Sequence, residues 1–222
     1  MHVDFSLLSK YKISFPSTYL ASSMHGAVLV ARKFGFPVAM KVVSPSVLHK
    51  SDRGGVILGI QSAAEAEKAY HLLMERYRGV KIDGVLVQKM AGASTGGVGE
   101  GGAAVQAGKD GVELIIGGKR DAQFGPLIML GLGGIFVEVM KDVTFRVCPI
   151  TESDATAMIH ELKSYPILAG ARGRKPISER ALVSTLMKVS HLLEKENPKE
   201  FDINPLIADS QGCTAVDMRI IR

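Results

Sequence analysis

The sequence predicts an α+β fold, with α/β alternation of its elements, arranged as two lobes. Segments with strand character alternate with amphipathic helical segments along most of the chain. The stretch 92–111 holds eight glycines in twenty residues, a composition that disfavours both a helix and a well-packed strand. The full length of 222 residues is enough for two small lobes. We therefore expect an amino-terminal lobe over 1–90, a glycine-rich linker or insertion over 91–111, and a carboxy-terminal lobe over 112–222.

In the first lobe, two helices are predicted from their apolar spacing and their end signals. The first covers 22–34, and Gly35 ends it. The second begins at Ser62, with Glu65 three residues later in the pattern of a capping box. Three apolar segments between and after these helices predict strands: 38–43, 56–60 and 84–90.

In the second lobe, strands come first and helices follow. Thr151 is expected to cap a helix that runs to about Lys163 and that Pro166 ends. A longer amphipathic helix is predicted over 178–194. The predicted strands are 112–117, 127–130, 136–139 and 144–149, with a final hairpin of 203–208 and 213–220 around the turn 209–212.

Composition and charge exclude several classes of protein. Lys and Arg number 27 against 22 Asp and Glu, so the net charge is +5, which gives no basic stripe that compels nucleic-acid binding. Two cysteines and no tryptophan argue against a disulfide scaffold and against base stacking. The charge-free run 122–137 holds four glycines and a proline and is too short to cross a membrane. We expect a cytoplasmic protein without nucleic-acid or membrane partners.

Lys41 lies within an apolar segment, Ala-Met-Lys-Val-Val. Lysine is rarely buried without a partner, because its ammonium group loses hydration. Two interpretations stay open: an edge strand with Lys41 in water, or a lysine that points into a cleft and holds a phosphate.

The segment His49-Lys-Ser-Asp-Arg-Gly54-Gly55 concentrates polar groups beside two glycines. The glycines would let backbone N–H groups approach an anion. A neutral imidazole nitrogen of His49 is a competent phosphoryl acceptor. The alternative interpretation is a polar turn with a structural histidine.

The carboxy-terminal segment carries oxygen ligands. Asp202 and Asn204 begin one predicted strand, and Asp217 lies in the next, so a hairpin would bring Asn204 and Asp217 close together. Such ligands suit Mg²⁺ bound together with nucleotide phosphates. Turn chemistry before a proline explains the same residues equally well.

Four long segments in order resemble the signatures of the nucleoside-diphosphate-forming acyl-CoA synthetases. The first, over 41–56, is similar to the pattern KxxSPxxxHKSDxGGV. The others are 111–126, 131–138 and 202–206. The similarity covers nearly the whole chain, and the chain resembles the beta subunit of the ADP-forming acetyl-CoA synthetases.

This resemblance implies an ATP-grasp fold, in which two lobes clasp a nucleotide. Lys41 would hold nucleotide phosphates, and His49 matches a histidine that is phosphorylated transiently. Asn204 and Asp217 would bind Mg²⁺, with Asp202 supporting them. Further nucleotide contacts are implied for the phosphate-facing loop, the adenine hinge and one lining carboxylate: Gly54, Gly55, Gln88, Lys89, Met90 and Glu113.

The implied reaction converts acyl-CoA, ADP and phosphate reversibly to the acid, CoA and ATP. The beta subunit would pass a phosphoryl group between a phosphohistidine and ADP, with a CoA-binding alpha subunit as partner in an α2β2 heterotetramer. Two alternatives remain: a non-catalytic nucleotide-binding regulatory subunit, and the ATP-grasp half of a succinyl-CoA-type ligase. The glycine-rich segment 92–110 is an insertion relative to the family pattern, and it lies at the expected adenine hinge. Two interpretations of this insertion stay open: a surface loop without effect, or a segment that alters nucleotide choice or access.

Overall fold

The computed structural model describes residues 5–44, 54–90, 111–133 and 142–222, and it divides into two compact units. Residues 16–106 form the small unit, and residues up to 15 and from 107 onward form the large unit. This division differs from the expected lobe over 1–90, because the amino-terminal helix belongs to the large unit. Its end is held there by Glu196, which accepts hydrogen bonds from Lys10 and Tyr11, both 2.7 Å long.

The small unit is a four-stranded antiparallel sheet with two helices packed on one face. The sheet order is β1-β4-β2-β3, and apolar side chains of β2 and β4 pack against both helices. The elements are β1 (Thr18–Ala21), α2 (Met24–Phe34), β2 (Val38–Val43), β3 (Val56–Ile60), α3 (Ala63–Arg76) and β4 (Gly84–Lys89), preceded in the chain by α1 (Phe5–Lys10) of the large unit.

Two helix ends of the small unit, at Gly35 and Ser62, follow the predicted signals, whereas α2 begins at Met24, two residues later than predicted. Ser23 caps α2, and Gly35 ends it with φ +75°, a conformation that glycine adopts freely. The hydroxyl of Ser62 accepts a hydrogen bond from the Glu65 N–H, and the Glu65 carboxylate accepts one from the Gln61 N–H. The predicted start of α3 is therefore confirmed, although Glu65 reaches one residue further back than in a capping box.

The large unit is built on a six-stranded antiparallel sheet. The strand order is β10-β8-β5-β6-β7, and β9 pairs with β8. The elements are β5 (Val112–Asp121), β6 (Gly125–Leu132), β7 (Val143–Val147), α4 (Glu152–His160), α5 (Tyr165–Leu168), a 3₁₀ turn (Ala171–Gly173), α6 (Glu179–Glu196), β8 (Glu200–Ala208), β9 (Cys213–Ala215) and β10 (Met218–Ile221).

Helices α4 and α6 pack on one face of this sheet. Leu193 of α6 lies directly over Gly118 of β5, and the Thr144 hydroxyl of β7 donates to the carbonyl of Met158 in α4. The fully buried side chains of this face include Leu114, Ile116 and Ile128. The opposite face of the sheet therefore carries the alternate residues of the same strands.

Three predictions for the large unit need correction. Strands β5 and β6 are longer than predicted, because polar residues at their shared turn continue the antiparallel pairing as far as Asp121 and Gly125. The helix capped by Thr151 ends at His160 rather than near Lys163. Pro166 does not end it but lies in the first turn of α5, where a missing N–H costs nothing. The predicted strand 136–139 lies outside the described residues.

Substitution of Gly118 by alanine is expected to destabilise the large unit. An added Cβ would lie 2.3 Å from the Leu193 Cδ2 atom, and Leu193 is only 1% exposed, so it has little room to move. Overpacking of this kind costs about 1–3 kcal/mol in the free energy of unfolding, measurable by urea denaturation. Gly212→Ala is the matched control, since its Cβ meets nothing within 4 Å. Equal effects of the two substitutions would contradict the packing argument.

Candidate functional site

In the small unit, Lys41 and Gln88 lie on the same face of the sheet. Antiparallel pairing sets Lys41 opposite Leu86 and Ala39 opposite Gln88, so these four side chains share one face. The alternate residues, among them Met40 and Val87, pack against α2 and α3. Lys41 and Gln88 are therefore diagonal neighbours on the face opposite the helices, which we call the second face of the small sheet.

The structure excludes an edge position for Lys41. Its strand, β2, lies between β4 and β3, and the side chain is only 3% exposed. A buried ammonium group is costly unless anionic or hydrogen-bonding groups surround it. The structure therefore rules out the edge-strand interpretation of Lys41, and its role in holding a phosphate stays a prediction.

The expected adenine hinge, Gln88 to Met90, lies at the end of β4. The N–H of Lys89 donates to the Ser17 carbonyl at 2.9 Å, and the N–H of Met90 donates to the Pro37 carbonyl at 3.3 Å. The side chain of Gln88 is fully buried, whereas Lys89 is exposed. Both N–H groups already donate hydrogen bonds within the unit. The backbone groups of Lys89 and Met90 that remain for contact with an adenine base are therefore their carbonyl oxygens.

The two glycines before β3 occupy positions that the fold restricts. Gly54 has φ +62°, and a Cβ there would lie 2.7 Å from the Arg76 guanidinium. That guanidinium donates to the Gly54 carbonyl at 2.9 Å, while the Gly55 carbonyl accepts from the Val42 N–H. Arg76, at the end of α3, thus fixes the backbone that follows the His49 segment. His49 itself lies outside the described residues.

In the large unit, Glu113 and Asp202 lie on the face of the sheet opposite α4 and α6. Gly117 pairs with Asp202 on one side and with Met129 on the other, and Glu113 precedes Gly117 by four residues along the same strand. Pairing also sets Arg219 opposite Asp202. We call this surface the second face of the large sheet.

The terminal hairpin brings Asn204 and Asp217 together, as predicted, but Asp217 lies between β9 and β10 and not inside a single strand over 213–220. The Asn204 N–H donates to the Asp217 carbonyl at 3.2 Å. The pairing register of β8 with β5 shifts by one residue at this point, where the Asn204–Pro205 peptide bond is cis. The Asn204 side chain is exposed and that of Asp217 is half-buried, so both remain accessible from this end of the sheet.

Asp202 is the most perturbed carboxyl group near this hairpin. Burial raises its pKa from 3.8 to about 6, and the negative charges of Asp217 and Glu200 act in the same direction. The Arg219 guanidinium opposes the shift. Two carboxylates within electrostatic range of each other, beside an amide, form a site that gains from a bound cation.

The donor chemistry fits Mg²⁺. No group of three or more His, Cys, Asp or Glu side chains suited to a metal occurs within the described ranges. Mg²⁺ usually takes only one or two protein carboxylates and keeps water or phosphate oxygens as its other ligands. The oxygen atoms of Asn204 and Asp217, with Asp202 beside them, meet that requirement.

The pKa of Asp202 leads to a prediction on pH-dependent stability. A carboxyl group with a higher pKa in the folded protein than in the unfolded chain stabilises the folded state while it is protonated. For Asp202 this stabilisation is complete below pH 3.8, and it is lost as the pH rises through about 6. The full shift corresponds to about 3 kcal/mol. Asp202→Asn removes this titrating group. Without Mg²⁺, the stability of the variant relative to the unsubstituted chain should therefore increase as the pH rises from 4.5 to 7.5.

Urea denaturation of both proteins at these two pH values measures that change. Asp209→Asn serves as the control, because it removes one carboxylate from the turn between β8 and β9 and leaves Asp202 in place. A stability difference between Asp202→Asn and the unsubstituted chain that stays constant with pH would contradict the burial of a titrating carboxylate.

Sequence reasoning missed two arginines. Arg76 holds the glycine loop and Arg219 faces Asp202, yet each stands in an unremarkable sequence context. Only the strand register could have revealed Arg219, since a hairpin with Asn204 beside Asp217 also sets Asp202 opposite Arg219.

None of the helices in the described part of the chain combines the length and apolar character needed to cross a membrane.

The chain has two antiparallel sheets, each with helices on one face. One sheet carries a buried lysine, and the other ends in a hairpin with carboxylate and amide groups. These features are typical of a nucleotide-binding α+β protein. A family model described as an ATP-grasp domain matches residues 2–221. The chain therefore belongs to the ATP-grasp family.

Within that family, the chain is similar to subunits of acyl-CoA-forming enzymes. It is 44% identical to the beta subunit of acetate–CoA ligase (ADP-forming) I from Pyrococcus furiosus, over 97% of this chain and 88% of that one. A structure of acetyl-coenzyme A synthetase 1 from Candidatus Korarchaeum cryptofilum, in complex with coenzyme A and Ca-AMPCP, matches with a TM-score of 0.87. The identity there is 42%, over 99% of this chain and 90% of that chain.

A further structure of the Korarchaeum enzyme holds coenzyme A and Mg-AMPPCP, with its phosphohistidine segment pointing towards the nucleotide-binding site. That match has a TM-score of 0.81 and 40% identity, over 99% of this chain and 89% of that chain. The expected fold class, an α+β ATP-grasp fold, is confirmed by these comparisons.

Proposed function

We propose that this chain is the ATP-grasp beta subunit of an ADP-forming acetate–CoA ligase. The observation that carries the proposal is the 44% identity to the Pyrococcus furiosus beta subunit over nearly all of both chains. The buried Lys41 and the adjacent Asn204 and Asp217 support it, because phosphoryl transfer depends on positioning and on neutralising charge. The overall reaction is acyl-CoA, ADP and phosphate in reversible exchange with acid, CoA and ATP.

In this proposal, Lys41 holds the phosphates of ADP or ATP. Its burial keeps water away from the ammonium group, which strengthens its attraction for a phosphate oxygen. Gly54 and Gly55 shape the backbone beside the phosphates, and Arg76 fixes that backbone. The carbonyl oxygens of Lys89 and Met90 accept the adenine amino group.

On the large unit, Asn204 and Asp217 would hold Mg²⁺, and Asp202 would support them. When bound, this ion neutralises negative charge that develops on the transferring phosphoryl group. Arg219 lies opposite Asp202 in the strand register, and its positive charge favours the ionised form of that carboxyl group. Glu113, half-buried on the same face, would line the nucleotide site.

His49 would carry the phosphoryl group between this subunit and its partner. An imidazole nitrogen attacks the phosphorus atom of the incoming phosphohistidine, whose nitrogen–phosphorus bond breaks as the new one forms. A terminal oxygen of ADP then attacks the same phosphorus atom, forms ATP and releases neutral His49. Both steps exchange one phosphoryl bond for another, so the sequence is reversible.

The partner in this proposal is a CoA-binding alpha subunit, since the Pyrococcus furiosus relative is named as a beta subunit. An α2β2 heterotetramer in the cytoplasm is the assembly that we propose. Both cysteines, Cys148 and Cys213, are buried and free, which agrees with a reducing compartment.

A thermal-shift titration of the isolated chain with Mg-ADP and Mg-ATP tests the nucleotide site. A ligand that binds only the folded protein stabilises it by about 2.7 kcal/mol at a hundredfold excess over its Kd. We expect a rise in Tm that depends on Mg²⁺. Absence of a shift for the chain alone and for its complex with the alpha subunit would contradict the proposal.

A further inference from the structure

A groove rich in lysine lies on the large unit, between the end of α1 and the carboxy-terminal half of α6. Its volume is about 710 Å³, and four lysines line it: Lys10, Lys12, Lys188 and Lys195. Glu196 is the carboxylate among the described lining residues, so lysines outnumber acids there by four to one. We call this feature the lysine groove.

One lysine of the groove is held in a fixed position. Lys10 donates to Glu196 at 2.7 Å, and the Tyr11 hydroxyl donates to the same carboxylate oxygen. The Tyr11 ring also makes an edge contact with His191, with 5.8 Å between the ring centroids. These contacts tie α1 to α6 and give the groove a rigid floor, while leaving the remaining lysines unaffected.

The other lysines carry charge that the described part of the chain does not neutralise. Lys12 and Lys188 form no ion pair with any described residue. Lys195 has Glu194 as its neighbour, but the two charged groups are 3.6 Å apart and both side chains are well exposed, which makes this a weak pair. Like charges crowded on a concave surface repel each other unless an anion joins them.

The backbone conformation at Lys12 determines which substitution can remove its charge without straining the fold. Lys12 has φ +54°, in the left-handed region that glycine favours, just after the last turn of α1. The Ile13 N–H donates back to the Leu8 carbonyl and closes the helix end. Glycine adopts this conformation with less strain, so the fold is expected to tolerate Lys12→Gly.

We propose that the lysine groove docks an acidic peptide segment of a partner protein. Lysines act as separate point charges on flexible stems, so four of them along a groove are complementary to the spaced carboxylates of an acidic peptide. The carboxylate of Glu196 can accept hydrogen bonds from backbone N–H groups of a peptide, and a polyphosphate chain has no such donors. Because exposed lysines contribute little each, the docking is weak, salt-dependent and suited to steering a partner into place.

Fluorescence anisotropy of a fluorescein-labelled octaglutamate peptide with the full chain tests the proposal at about 50 mM and 150 mM salt. The variant Lys12→Gly/Lys188→Gln/Lys195→Gln should bind at least tenfold more weakly, since each exposed charge pair contributes up to about fivefold. The matched control, Lys33→Gln/Lys68→Gln/Lys163→Gln, removes the same charge from exposed lysines elsewhere and should change the Kd less than threefold.

Equal weakening in both triple variants would overturn the proposal, because attraction to net charge alone would explain it. Tighter binding of an octathymidylate probe than of octaglutamate would overturn it in favour of a nucleic-acid surface. Full displacement of the peptide by 10 mM inorganic phosphate would reassign the groove to a small anion. The single variant Lys12→Gly should keep or raise the Tm while weakening peptide binding. A lower Tm with unchanged peptide binding would show that Lys12 serves the fold and would contradict its role in the groove.

Discussion

Replacement of Lys41 by methionine is expected to weaken binding of Mg-ADP by about thirtyfold or more. Lys41 is 3% exposed on the second face of the small sheet, so its charge acts with little screening by water. Removing one partner of a buried charged contact costs about 2–5 kcal/mol, and about 2 kcal/mol corresponds to a thirtyfold change in Kd. Isothermal titration calorimetry of the chain, alone or with its alpha subunit, measures this loss.

The matched control is Lys89→Met, which removes an exposed lysine on the neighbouring strand. Its expected role uses the backbone carbonyl, so this variant should bind Mg-ADP within about threefold of the unsubstituted chain. Wild-type affinity in Lys41→Met would show that the buried lysine serves the fold and does not hold the phosphates.

Substitution of Asp217 by asparagine is expected to reduce Mg²⁺-dependent ATP formation at least a hundredfold. Asparagine keeps the shape of the side chain but removes the charge that a divalent cation needs. The hairpin survives, because the contact to Asn204 uses the Asp217 backbone carbonyl. The loss should appear as a higher Mg²⁺ requirement, measured by titrating MgCl₂ in an ATP-formation assay with the alpha subunit.

Asp209→Asn provides the control for this substitution. Asp209 lies on the turn at the end of β8, and its carboxylate accepts hydrogen bonds from the Gln211 and Gly212 N–H groups. An asparagine side chain can still accept these bonds, so the Mg²⁺ requirement should not change. An unchanged Mg²⁺ requirement in Asp217→Asn would place the metal elsewhere.

Much of the local structure was predictable because it is encoded by neighbouring residues. Gly35, Ser62 and Thr151 act as helix caps within a few residues of themselves, and the helices end or begin where these signals stand. The short turn 209–212 fixed the hairpin, and with it the closeness of Asn204 and Asp217.

Features that depend on distant residues were not predictable in this way. The segment 5–15 packs with the large unit through Glu196, almost two hundred residues away, and no local signal marks that contact. The burial of Lys41 depends on the position of β2 between β3 and β4, which follows from the order of strands in the sheet. Pro166 was misassigned because a proline can both end one helix and begin the next.

Formation of ATP by this chain and its alpha subunit, from acetyl-CoA, ADP and phosphate, tests the central claim most directly. The measurement compares the unsubstituted chain with His49→Ala, each in a complex verified by gel filtration and each shown to bind Mg-ADP. We predict ATP formation that requires both subunits and that falls at least a thousandfold in His49→Ala, with nucleotide binding retained. Full activity of His49→Ala would contradict the phosphoryl relay, and no ATP from the intact complex would contradict the proposed function itself.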